Sequence, residues 1–129
     1  MSVKVWDITN TKKPVLSICV QESLKSKLVN LFESDNIFDK FSLSTSAVNS
    51  TILTGNYNNN FHLLNFENGS NTQYELNFKK STISRPIIPG KCPQIGKIEA
   101  KKKTSALAFH PSEHCVAVAM LNCFFVYKI

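Results

Sequence analysis

Short runs of alternating apolar and polar residues recur along this chain, and clusters of turn formers separate them. That pattern admits a succession of short strands and disfavours a helical bundle. Val3-Lys4-Val5 opens the series and Val15 to Val20 follows a polar turn at Thr9–Pro14. Next, Ile37, Asp39, Phe41 and Leu43 alternate with Phe38, Lys40 and Ser42, predicting a strand from Ile37 to Ser44. Ser50–Thr54, Phe61–Phe66 and Thr72–Phe78 complete a meander of four strands, joined through Asn58-Asn59-Asn60 and Glu67–Ser70. Ser105–Phe109, Cys115–Met120 and Cys123–Ile129 form three more, turning at His110–Glu113 and Leu121-Asn122. Only four Gly serve all these turns, so Asn carries much of the turn chemistry.

Two segments break the alternation. From Glu22 to Phe32 the period changes: Leu24, Leu28, Leu31 and Phe32 make one stripe of an amphipathic helix, closed by Ser34-Asp35-Asn36. From Ser81 to Lys103, three Pro, two Gly and a run of Lys leave no sustained period and predict a long basic loop. Between Lys79 and Lys103 lie eight basic residues and one Glu, so this segment carries the whole basic excess of a chain with net charge +6. The expected divisions are closing strands at 1–20, an inserted helix at 21–36, a complete four-stranded unit at 37–78, the basic loop at 79–103 and three final strands at 104–129.

At 129 residues and 43% hydrophobic content, one packed domain is expected. No apolar run approaches the ~20 residues of a membrane span, and the N-terminus has no secretion signal. A soluble, cytoplasmic protein, with the nucleus as a further compartment, is the expectation. Cys19, Cys92, Cys115 and Cys123 contain no CxxC pair. They read as reduced thiols, with Cys19 and Cys115 inert inside apolar strands.

Strand ends repeat at Trp6-Asp7, Leu64-Asn65 and Tyr127-Lys128, at intervals of 58 and 63 residues. A plain WD repeat runs ~40–45 residues; the helix accounts for the first excess and the basic loop for the second. With VKVWD (3–7), LKSKLVNLFESDNIFDKF (24–41), TGNYNN (54–59), FHP (109–111) and the terminal VAVAMLNCFFVYKI, the chain resembles the C-terminal end of the 55-kDa regulatory B subunit family of protein phosphatase 2A. Asn65 stands where that family has Asp, and Phe109 where it usually has Trp. The resemblance implies an all-β fold, a partial WD-repeat β-propeller of about two and a half of seven blades with one inserted amphipathic helix. It also implies a fragment, whose open blade edges invite pairing with other chains or self-association.

By position in the resembled family, the helix-to-strand corner at Glu33–Phe41 holds substrate or inhibitor helices near the catalytic subunit. Phe38 then supplies an apolar anchor and Lys40 a charge for an acidic ligand residue, with Phe32 and Glu33 lining the same surface. Alternation alone allows the plainer arrangement, with Phe38 or Phe41 buried between blades and Lys40 merely solvated. Lys101, Lys102 and Lys103 belong to a loop that reads as a solvated segment or as electrostatic support for phosphorylated substrates. With one Arg and no interleaved aromatics, base stacking with nucleic acid is unsupported.

His110-x3-His114-Cys115 has metal-like spacing, but a zinc site needs four converging ligands, and His110 reads better as a hydrogen-bonding blade residue. No phosphate loop, G-x-S-x-G elbow or H-E-x-x-H occurs. The expectation is a non-catalytic regulatory subunit without cofactor or metal. Its implied partners are the phosphatase scaffold (A) and catalytic (C) subunits and phosphoprotein substrates or inhibitors, with no membrane partner. The alternative is a propeller-derived interaction or self-assembling module without a phosphatase role.

Overall fold

In the computed structural model, residues 2–36, 39–46, 49–76 and 102–129 are described. Three antiparallel sheets follow in chain order. The first pairs β1 (Ser2–Val5) with β2 (Leu16–Cys19). The second is a four-stranded meander of β3 (Leu43–Thr45), β4 (Thr51–Gly55), β5 (Asn60–Asn65) and β6 (Asn71–Glu75). The third holds β7 (Thr104–Phe109), β8 (Cys115–Met120) and β9 (Cys123–Lys128) in order. Together with the one helical insertion, this is the mostly antiparallel β architecture of partial propeller blades.

The period of two explains how the sheets stack. Ile52 and Leu64 are register partners on one face of the second sheet and pack with Val3 and Ile18 of the first. On the opposite face, Leu53 and Phe61 pack with Val116, Val118 and Met120 of the third. One residue's shift along β4 therefore changes the neighbour from one sheet to the other. Phe61 and Tyr74 stack on that second face with centroids 5.3 Å apart.

Turn chemistry follows the residues available. Asn58 and Asn59 have φ of 56° and 60°, and Asn60 N–H donates to Tyr57 O at 3.2 Å. Two successive left-handed residues give the mirror-image turn whose twist suits a hairpin, with Asn doing the work usual for Gly. Asp7 Oδ1 accepts from Thr9 N–H at 2.8 Å, and Asn65 Oδ1 accepts from Glu67 N–H at 2.9 Å. Asn65 thus ends its strand with the same turn that Asp7 makes.

The helical insertion has two contiguous parts, 3-10 at Glu22–Lys27 and α-helical at Leu28–Glu33 (α1), and three details of the sequence reading need correction. The break falls at Lys27, with φ −112° and ψ 5°, after a stretch in which Ser23 and Ser26 favour the backbone less strongly as helix. Phe32 lies outside the buried stripe formed by Leu24 and Leu31, and is 63% exposed. Of the strand expected at Ile37–Ser44, Ile37 and Phe38 lie outside the described residues, while residues 39–42 stay out of the ladder and β3 begins at Leu43, because Ser42 N–H donates to Ser105 O of the third sheet at 2.9 Å instead of pairing with β4. Finally, Cys19 is exposed and Cys115 half-buried, since Ile18 and Val116 take the inward positions beside them.

Candidate functional site

The corner after α1 is built by a helix-terminating motif. Asp35 is left-handed, with φ 54°; its N–H donates to Phe32 O at 3.2 Å and Asn36 N–H reaches Leu31 O at 3.0 Å. These two bonds satisfy the last carbonyls of the helix and turn the chain away from its axis. Ser34 Oγ adds a bond to Asn30 O at 2.8 Å. The short helix is held by burial of Leu24 and Leu31 against Tyr57, the residue that opens the β4–β5 turn.

Tyr57 also grips the corner directly. Its hydroxyl donates to Asn36 O at 3.0 Å, and its ring meets Phe41 edge-on with centroids 5.0 Å apart. Burial, and then the Asp39 carboxylate, push the phenol's pKa up, so it remains a donor across the ordinary pH range. Lys103 Nζ also pairs with Asp39 Oδ1, and both side chains are partly buried. Leu107 N–H donates to Ser42 Oγ at 3.0 Å just beyond.

Phe32, Glu33 and Lys40 all have exposed positions along this corner. Phe38 and Lys101 lie outside the described residues, as does the rest of the expected 79–103 basic segment before Lys102. Lys102 is exposed, and its carbonyl accepts from Asn59 N–H at 3.0 Å. Lys103 is committed to Asp39. Of the three lysines grouped by sequence, this one is therefore a structural partner of the corner.

A buried polar network escaped sequence reasoning. Asn56 Nδ2 donates to His62 Nε2 at 2.8 Å, and His62 Nδ1 donates to Asn71 Oδ1 at 2.7 Å. Asn56 Oδ1 accepts from Gln21 Nε2 at 3.2 Å and from Tyr57 N–H at 2.8 Å, while Asn71 Nδ2 reaches Cys19 O at 3.1 Å. His62 is 3% exposed, and burial pulls its pKa below the usual imidazole value against the smaller opposing effect of Asn71. The network ties β2 and the start of the helical insertion to the second sheet. Its signal in the sequence was a His on the inward alternation of Phe61-His62-Leu63-Leu64.

The other histidines do different work. His110 Nδ1 accepts from Glu113 N–H at 3.0 Å and so closes the β7–β8 turn, whereas His114 faces Asn49 at 3.3 Å. Among the described residues no group of three or more His, Cys, Asp or Glu could hold a metal ion, and no helix is long and apolar enough to cross a membrane.

No protein-family model matches the chain. It is similar to the beta isoform of the 55 kDa regulatory B subunit of serine/threonine-protein phosphatase 2A from Carassius auratus, with 33% identity over 138 aligned positions, covering 99% of this chain and 31% of that protein. It is also similar to the protein phosphatase PP2A 55 kDa regulatory subunit of Drosophila melanogaster, with 34% identity over 140 positions, covering 99% of this chain and 28% of that protein. The chain thus spans about three tenths of the length of these relatives.

Proposed function

We propose, from the premise that this chain is a relative of the 55 kDa regulatory subunits of phosphatase 2A along 99% of its length, that it is a non-catalytic part of a phosphatase-regulating surface. The single observation carrying this reading is that end-to-end similarity to proteins named as regulatory subunits. In this proposal the chain assembles with the phosphatase scaffold and catalytic subunits in the cytoplasm and the nucleus. The α1-to-β3 corner recruits phosphoprotein substrates or inhibitors. Phe32 and Phe38 offer apolar contact, Lys40 meets a carboxylate of the bound helix, and Glu33 borders the same surface. Dephosphorylation belongs to the catalytic subunit, and the corner acts by raising substrate concentration beside it. The exposure of Phe32 and Lys40 supports the reading.

The test is capture from cell extract with the tagged 129-residue chain, probed for scaffold and catalytic subunits. Recovery of both is expected, with Phe38→Ala and Lys40→Glu weakening substrate recruitment while leaving the subunits bound. Loss of both subunits from soluble, folded chain would sink the proposal.

A second reading has its own observation. The outer face of the third sheet exposes Phe124 (68%) and Val126 (62%), and β9 is the last strand of its sheet among the described residues. Such a surface suits a self-assembling or interaction module. A concentration-dependent oligomer that captures no phosphatase would favour it.

A further inference from the structure

Lys103 stands at the far end of the basic segment in sequence, 64 residues from Asp39, yet the two form an ion pair at the docking corner. We propose that Lys103 is a positioning residue: by holding Asp39 it fixes the direction in which the neighbouring Lys40 is presented to a bound acidic helix. This rests on the reading of the corner as a peptide-docking surface and assigns a role to a lysine otherwise grouped with a solvated loop.

Several observations converge on it. Residues 39–42 have no ladder of their own, so something other than sheet pairing must hold them. Tyr57 holds them through its hydroxyl on Asn36 O at 3.0 Å and its ring against Phe41. Lys103 on Asp39 and Ser105, whose carbonyl accepts from Ser42 N–H at 2.9 Å, add two further ties. Lys103 itself is anchored rather than adrift. It bridges to Tyr57 through the backbone, and the flanking groups are tied down by Thr104 N–H on Asn56 O at 3.0 Å and Asn59 N–H on Lys102 O at 3.0 Å.

The ion pair therefore joins a rigid support, the β4–β5 turn and the start of β7, to the irregular segment carrying Lys40. A long side chain from a fixed backbone can do this because Lys buries its stem while the ammonium reaches its partner. Partial burial of both groups reduces the solvent screening that makes most surface pairs ineffective. The arrangement also removes Lys103 from the charges available to an incoming phosphate or carboxylate. Lys40 and Lys103 consequently have different tasks despite equal charge.

The test uses the 129-residue chain and a fluorescein-labelled amphipathic peptide with Leu and Glu one helical turn apart. Lys103→Met and Asp39→Asn should each weaken binding about fivefold, the scale of a partly buried ion pair. The double variant should lose no more than either single one, because both remove the same interaction. Lys103→Arg should restore affinity, which a loss of general stability would not predict. Hydrogen exchange at residues 40–42 should accelerate in Lys103→Met and Asp39→Asn and stay slow in Lys103→Arg.

Full affinity in Lys103→Met and Asp39→Asn, alongside weakened binding by Lys40→Glu, would overturn the positioning role and leave the docking corner standing. Additive losses in the double variant would likewise overturn it. If the wild-type chain fails to bind the peptide, the docking reading fails for that ligand class. Exchange at residues 40–42 then decides the ion pair's role separately, and unchanged exchange in Asp39→Asn, which keeps the side chain's shape, would overturn it.

Discussion

Gly55 shows how strongly one residue can depend on its neighbours in the third dimension. A Cβ built there would lie 1.7 Å from Thr104 O, inside the backbone of the third sheet. No rotamer change relieves a backbone clash, so the two sheets would have to part. Gly55→Ala should destabilise the chain by about 3 kcal/mol, at the upper end of overpacking penalties, as measured by urea denaturation. His62 has a different sensitivity. Its neutral ring donates from Nδ1 and accepts at Nε2, and its folded pKa is lowered from 6.5 chiefly by burial. The unfolded chain therefore takes up the proton first. Stability is fully present above pH ~6.5 and declines as pH falls toward the lower folded value. Thermal midpoints should drop between pH 7.5 and 5.5, and His62→Gln should flatten that slope; an unchanged slope would show that another group governs it.

At the scale of elements, the helical insertion has a buried side that holds it in place and an exposed side that carries the proposed recognition. Leu24 is 2% exposed and packs with Leu31 and Tyr57, so Leu24→Ala should cost about 3 kcal/mol of stability. Phe32→Ala, on the exposed side, should change stability by less than about 0.5 kcal/mol while weakening peptide binding at the corner. Thermal denaturation and titration with the labelled peptide distinguish the two. The period of the leucines was legible, because Leu24 and Leu31 do face inward. The place of Phe32 was not: the segment changes from 3-10 to α at Lys27, and a stripe drawn at one constant pitch rotates out of phase across that junction. For the same corner, alternation carried the expected strand through residues 39–42, which stay out of the ladder, since a period of two cannot reveal that Ser42 bonds to β7 rather than β4.

Across the whole molecule, the two ends of the stack differ. The free face of the first sheet carries Ser2, Lys4, Ser17 and Cys19, which are exposed. On the free face of the third, Phe124 and Val126 lie opposite Ala119 and Ala117. If the chain associates with itself, the apolar face is the one expected to bury. Val126→Glu with Phe124→Glu should reduce a concentration-dependent increase in sedimentation coefficient at little cost in monomer stability, because both side chains are already exposed. Persistence of the oligomer in this variant would move the contact away from this face.

Local spacing alone determined the all-β class, the succession of short strands, the helical insertion and the tight Asn turns, because each depends on the preferences of residues a few positions apart. The resemblance carried by 24–41 and 54–59 also directed attention to the corner. Tertiary structure decided what local spacing does not encode: Gly55 against Thr104 O, the His62 network across three elements, and Lys103 on Asp39. Each joins groups brought together only when the sheets stack. Period two specifies which face a side chain takes, whereas the identity of the partner across that face depends on the packing of the whole chain.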